Sequence, residues 1–204
     1  MNRDLEGATF EESSVASGGF RFRCLAAGRG EAVLRLHAAD ELELTRMDGM
    51  LAKAHRVIAL ELPRSGQSDR VARAIAGLAR ELGLERYSVI AGSSAAAVAV
   101  RLALDYSDWI EALVLLAPRL QPGIEAALRD LGVATLVVFG TKDELAAAGR
   151  TYRASMPNCS FALVYDAGEA LESERPEAVG GLVEDFLERR EVFVVSRESS
   201  LINP

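Results

Sequence analysis

The sequence predicts an α/β protein with a mainly parallel central sheet covered by helices on both faces. Short β-like runs alternate with longer helix-like runs from about residue 20 to residue 190. The later β-like runs are apolar throughout rather than alternating, as in Ser-Val-Ile-Ala (88–91), Ala-Leu-Val-Leu-Leu (112–116) and Thr-Leu-Val-Val-Phe (135–139). Strands covered by helices on both sides read this way, because neither face meets water. The run 94–104 is apolar nearly all round and rich in alanine, which suits a central helix pressed close to a sheet.

Taken in order, residues 1–17 are polar and rich in Glu, Ser and Gly, and are read as a flexible lead-in. The domain proper is expected over 18–190, with strands at 20–26, 32–36, 56–60, 87–91, 112–116, 134–139 and 161–165. Between the third and fourth, Val71, Ile75, Leu78 and Leu82 make one helical stripe, and Gly83 follows as its stop. A last helix over 175–190 opens on Pro176 and Glu177 and ends on Arg189 and Arg190, so its charges oppose the helix dipole. Its buried stripe is Val179, Leu182, Val183, Phe186 and Leu187. The remainder, 191–204, is an extension. Its run Val192-Phe193-Val194-Val195 has high strand propensity and needs cover, from an added edge strand of its own sheet, from packing at the end of the last helix, or from pairing with a partner protein or second copy.

Bulk composition excludes several classes of function. The chain has 204 residues, enough for one well-cored domain, with 50% hydrophobic and 26% charged residues. A formal net charge of -7 and the lack of a Lys/Arg cluster argue against a nucleic-acid partner. The polar, acidic start shows no signal-peptide pattern, and charge interrupts each apolar stretch short of membrane-spanning length, so a cytoplasmic location with no membrane contact is expected. The two cysteines, Cys24 and Cys159, are too few and too far apart for a disulfide framework or a Cys-rich metal site, and read as small buried hydrophobes.

Four motifs, in order, carry a resemblance. Val33-Leu34-Arg35-Leu36-His37-Ala38-Ala39 is a strand ending at a histidine. His55 to Asp69 contains a strand followed by Leu62-Pro63-Arg64-Ser65-Gly66-Gln67-Ser68-Asp69. Val89-Ile90-Ala91-Gly92-Ser93-Ser94-Ala95-Ala96 is a strand running into small residues around a serine. Leu136-Val137-Val138-Phe139-Gly140-Thr141-Lys142-Asp143 is a strand ending in an aspartate. Together they resemble the α/β-hydrolase family over roughly residues 20 to 190. The resemblance implies a nucleophile elbow with Ser94 at the nucleophile position, flanked by Gly92 and Ala96, and Asp143 as the acid of a triad. It implies oxyanion-hole donors from the main chain of Ala95 and of Ala38 or Ala39, where alanine replaces the usual glycine.

The same resemblance exposes a deficit. Asp166-Ala167-Gly168-Glu169 matches the loop in which the family carries its catalytic histidine, and here that residue is Glu169. The two histidines of the chain, His37 and His55, match other positions and read as structural. A carboxylate is about two pKa units less basic than imidazole, a deficit of about 3 kcal/mol in proton affinity. Beside Asp143, Glu169 is expected to share a proton with it at moderate pH. Two carboxylates without further ligands make a poor metal site, and no cofactor is implied. Between Pro118 and Thr135 there is room for a loop and a short helix, not for the cap domain that many of these hydrolases insert.

The function expected is therefore that of a catalytically degenerate, capless homologue acting as a binding or accessory subunit, with a small ligand or a protein partner that the sequence does not identify. The alternative is an atypical serine hydrolase or acyltransferase using Ser94 and Asp143 with a non-standard base.

Overall fold

A computed structural model of the chain describes residues 3–119, 124–193 and 201–202. The strands are Arg3–Leu5 (β1), Ala8–Ser17 (β2), Phe20–Ala27 (β3), Ala32–His37 (β4), Arg56–Glu61 (β5), Tyr87–Gly92 (β6), Ile110–Leu116 (β7), Thr135–Gly140 (β8), Cys159–Val164 (β9) and Leu201–Ile202 (β10). The helices are Arg46–Leu51 (α1), Ser68–Glu81 (α2), Ala96–Asp105 (α3), Glu125–Leu128 (α4), Ala148–Ser155 (α5), Leu171–Glu174 (α6) and Pro176–Arg189 (α7). All strands join one sheet in the order β1-β2-β3-β5-β4-β6-β7-β8-β9-β10. The block from β5 to β9 is parallel, and antiparallel pairings add β3, β2 and β1 at one end and β10 at the other.

Both faces of the parallel block are dry. On one side Leu34, Leu36, Val89, Leu113 and Val137 meet Val71, Ile75 and Leu78 of α2 and Ala96, Ala99 and Ala103 of α3. On the other, Val33, Ile90, Val114 and Leu136 meet Met47 and Leu51 of α1 and Val179, Val183 and Phe186 of α7. Alternate residues of one strand thus enter two different cores, which is why these strands carry no polar alternation. The alanines of α3 let its backbone approach the sheet closely. Gly83, at φ 70°, ends the turn after α2 in the left-handed region that an L side chain resists.

Every strand expected from the sequence is present, with ends shifted by at most two residues. The segment 1–17 departs from expectation. Instead of a flexible lead-in, residues 3–17 form the β1–β2 hairpin, and β2 pairs antiparallel with β3 from Glu11↔Ala26 to Ser17↔Phe20. The segment reads as polar because most of β2 faces water, with Phe10 alone in the strand fully buried. Paired Gly18 and Gly19, both at positive φ, make the tight turn into β3.

The described part of the extension shows both helix-end packing and an added strand, two of the forms expected for it. Val192 closes a 3-10 turn and is 77% exposed, whereas Phe193 packs edge-on against Phe186 of α7 at 5.3 Å between ring centroids. Val194 and Val195 lie outside the described residues. The pairing seen is further on, where Leu201 and Ile202 lie antiparallel to Val164 and Leu163 of β9. Cys24 is buried and Cys159 partly so, both as free thiols, and burial pushes the Cys159 thiol up to about 12. No described helix is long and apolar enough to cross a membrane.

Candidate functional site

The sheet order reverses around β4, whose neighbours are β5 and β6, so the chain leaves the strand ends there in opposite directions. Open α/β sheets place their ligand crevice at such a point, beyond the C-terminal strand ends. A cleft of about 360 Å³ lies there, with Arg35, His37, Ala38, Ser93, Leu116, Glu169 and Glu172 in its lining.

The elbow is built at the end of β6. Gly92 is still extended at φ -110°, and Ser93 turns into the left-handed region at φ 46° before a 3-10 turn leads into α3. A non-glycine residue in that region is strained and needs surrounding support. The strained serine is therefore Ser93, one residue before the position expected. Ala91-Gly92-Ser93-Ser94-Ala95-Ala96 satisfies a small-x-Ser-x-small pattern in either frame. The frame is decided by where β6 ends, which spacing alone does not show. Ser94 is exposed and outside the cleft lining, while Ala95 is buried. With Ser93 at the apex, the main-chain N–H next in line is that of Ser94 rather than Ala95.

Ser93 Oγ donates to Glu169 Oε1 at 3.3 Å. Glu169 is thus brought to the elbow, in the loop after β9, as the sequence expects. Its second partner is new. Arg119, in the turn after β7, donates Nε to Glu169 Oε1 at 2.7 Å and its NH2 group to Oε2, a two-pronged fork. Hydrogen bonding from Arg119 foremost, and from Ser93 in addition, holds the Glu169 carboxyl below its ordinary range against a smaller opposing effect of burial. The expected proton sharing with Asp143 is not what the geometry supports, because a guanidinium rather than a second carboxylate faces Glu169. Asp143 sits in the loop after β8 and accepts the main-chain N–H of Leu145 at 2.8 Å, a local turn contact. No bond joins Asp143 to Glu169 among the described residues.

The loop carrying Glu169 is braced on several sides. Asp166, at φ 59°, is held by Lys142 at 2.5 Å and Arg175 at 2.9 Å. The Gly168 N–H donates to Glu174 at 2.9 Å, and Lys142 N–H to the Ala167 carbonyl at 2.8 Å. A Cβ at Gly140 would overlap the Ala167 carbonyl, so glycine is required where β8 passes this loop.

The floor of the cleft is ionic. Arg35, mid-strand in β4, is fully buried and donates to Asp48 of α1 at 2.8 Å and to Glu172 of α6. Asp48 also accepts the Thr45 N–H at 2.7 Å, capping α1. Burial pushes the Glu172 carboxyl up, with Arg35 opposing. His37 ends β4. Its Nε2 is shielded from solvent without a partner. Burial first, then Arg35, lowers His37 to about 3, so its imidazole is neutral. Ala38 and Ala39 follow it on the loop where oxyanion donors were expected. Ala38 lines the cleft, and beyond Ala39 the N–H of Asp40 is committed to Glu61 at 2.6 Å. His55 precedes β5 and lies outside this lining.

Arg119, Arg35, Asp48 and Glu172 escaped the sequence reading. Arg35 had a signal, an arginine inside an otherwise apolar strand, which needs a buried partner. Arg119 had none, since an arginine after Ala-Pro is ordinary in a loop. No group of three His, Cys, Asp or Glu side chains able to hold a metal ion occurs among the described residues.

This sheet order, elbow and set of strand-end loops define the α/β-hydrolase fold, and the solved structures it resembles agree. A predicted hydrolase from Thermoplasma acidophilum superposes with a TM-score of 0.77 over 89% of this chain and 99% of that one, at 19% identity. A meta-cleavage product hydrolase from Pseudomonas fluorescens IP01 gives 0.76 over 86% and 97%, at 15% identity. In sequence, a 2-hydroxy-6-oxononadienedioate/2-hydroxy-6-oxononatrienedioate hydrolase of Comamonas testosteroni is 32% identical over 126 residues, which is 54% of this chain and 43% of that protein. The chain thus matches less than half the length of that relative. No protein-family model matches the chain.

Proposed function

We propose that this chain is a catalytically silent α/β-hydrolase-like protein that binds a small ligand or a partner at the cleft above β4. The observation that carries this reading is the state of Glu169. In place of an imidazole held by an aspartate, the elbow serine faces an ionised carboxylate already engaged by the Arg119 fork. A carboxylate held below its ordinary pKa is a weak proton acceptor for a serine hydroxyl. The short β7–β8 connection, residues 117–134, bears only α4 among its described residues. A cleft without a cap excludes water poorly, which favours recognition over hydrolysis.

The 3.3 Å bond from Ser93 to Glu169 supports a second reading, an atypical esterase or acyltransferase with Glu169 as its base. Intact-mass detection of fluorophosphonate labelling separates the two, with Ser93→Ala and Ser94→Ala as controls. The silent reading expects no adduct at long exposure. A rapid adduct lost in Ser93→Ala would establish an activated serine and overturn it. Partner binding through the extension is a further part of the proposal, and light scattering of the whole chain tests it. A strictly monomeric protein would leave the Leu201–Ile202 pairing as cover in cis.

A further inference from the structure

We propose that Arg119 is a latch that keeps the Ser93 elbow inactive, and that releasing its fork frees Glu169 to serve as base for Ser93. The inference rests on the silent-elbow reading and gives its cause. After β7 the chain turns sharply at Ala117, φ 43°, and folds back over the elbow. Arg119 then grips the site twice. Its main-chain N–H donates to the Ser93 carbonyl at 3.0 Å, and its side chain forks onto Glu169. Three side-chain donors thus converge on one carboxylate, and two of them belong to Arg119. The atom that would take the serine proton, Glu169 Oε1, is shared between Arg119 Nε and Ser93 Oγ.

Replacing the guanidinium leaves the Ser93 hydroxyl as the remaining side-chain donor to Glu169, on the atom placed to accept its proton. The charged groups around the latch are few. Glu169 faces Arg119, and Arg119 also feels Asp143 and Glu144. Arg119 and Glu169 are 48% and 46% exposed, so their pair contributes little to stability and its loss leaves the fold intact. Arg119 is thus a positioning residue, acting on the serine through the carboxylate.

With a fluorophosphonate as co-reactant the step balances. Ser93 gives its hydroxyl proton to Glu169, Oγ forms a bond to phosphorus, the P–F bond breaks and fluoride leaves. Glu169 then returns the proton to solvent.

The test is the labelling rate of Arg119→Gln against the unaltered chain. We expect labelling of Arg119→Gln at least about threefold to tenfold above the rate of the unaltered chain or, where that chain gives no adduct, above the detection limit, the scale of a modest gain in base strength. The gain should vanish in Arg119→Gln/Glu169→Gln and in Arg119→Gln/Ser93→Ala. It should follow a pH profile that rises through the carboxylate range and then levels. Arg119→Lys, which keeps the charge without the fork, should fall between. Equal rates, no adduct in either protein, or a gain that survives Glu169→Gln would each overturn the latch. The absolute rate of the unaltered chain judges the silent reading, and the ratio judges the latch, so the two fail separately.

Discussion

Arg35 holds two carboxylates from two different helical segments, and Asp48 has no solvent contact at all. Removing the guanidinium strands a buried charge, a loss of about 3–5 kcal/mol for such pairs. Arg35→Ala should therefore lower the urea midpoint sharply, whereas a change within experimental error would show that water reaches Asp48. His37 adds a pH dependence. Its folded pKa of about 3 lies below the ordinary 6.5, so the unfolded chain takes up a proton that the folded chain refuses. The resulting stability is complete above about pH 6.5 and is lost as pH falls toward the folded value. His37→Gln should flatten the decline in urea midpoint between about pH 7 and about pH 4.5. A slope equal to that of the unaltered chain would place the proton uptake elsewhere. At this scale the sequence reading singled out Glu169 and Ser94, and the structure brings Glu169 to the neighbouring Ser93. The reading missed by one residue which serine is strained, because that depends on where a hydrogen-bonded ladder stops.

The β1–β2 hairpin shows a different limit. Apolar runs revealed the seven strands with one or two buried faces, but β2 buries little beyond Phe10, and its Glu and Ser residues look like linker. The legible signal was in the turns, Glu6-Gly7 and Gly18-Gly19, which punctuate strands rather than coil. Its role is to cover the outer edge of β3. Deleting residues 1–17 should uncover that backbone and leave the Phe10 site empty, at a cost of about 3 kcal/mol, and should promote self-association. Light scattering and urea unfolding check both effects. A monodisperse, equally stable product would make the hairpin dispensable. At the other edge, the tail was singled out as apolar chain needing cover; Phe193 is buried, Val192 is exposed, and Val194 and Val195 lie outside the described residues. The pairing found is at Leu201–Ile202, several residues beyond the stretch of highest propensity.

For the molecule as a whole, the doubly covered sheet was legible because burial on both faces leaves a plain mark on composition. The cleft was legible only in outline, since its character comes from pairs far apart in the chain, such as Arg119 with Glu169 and Arg35 with Glu172. Arg35 has one more consequence, for how the chain finds its fold. Leu34 and Leu36 point to one core and Arg35 to the other, where Asp48 and Glu172 wait. If β4 were to slip by one residue between β5 and β6, the guanidinium would be thrust among the alkyl groups of α2 and α3 with no counter-ion. Neighbouring strands made only of Val, Leu, Ile and Ala can slide past one another at small cost. One charge in the middle strand makes such misalignments prohibitive, so Arg35 works as a key that only the correct assembly accepts.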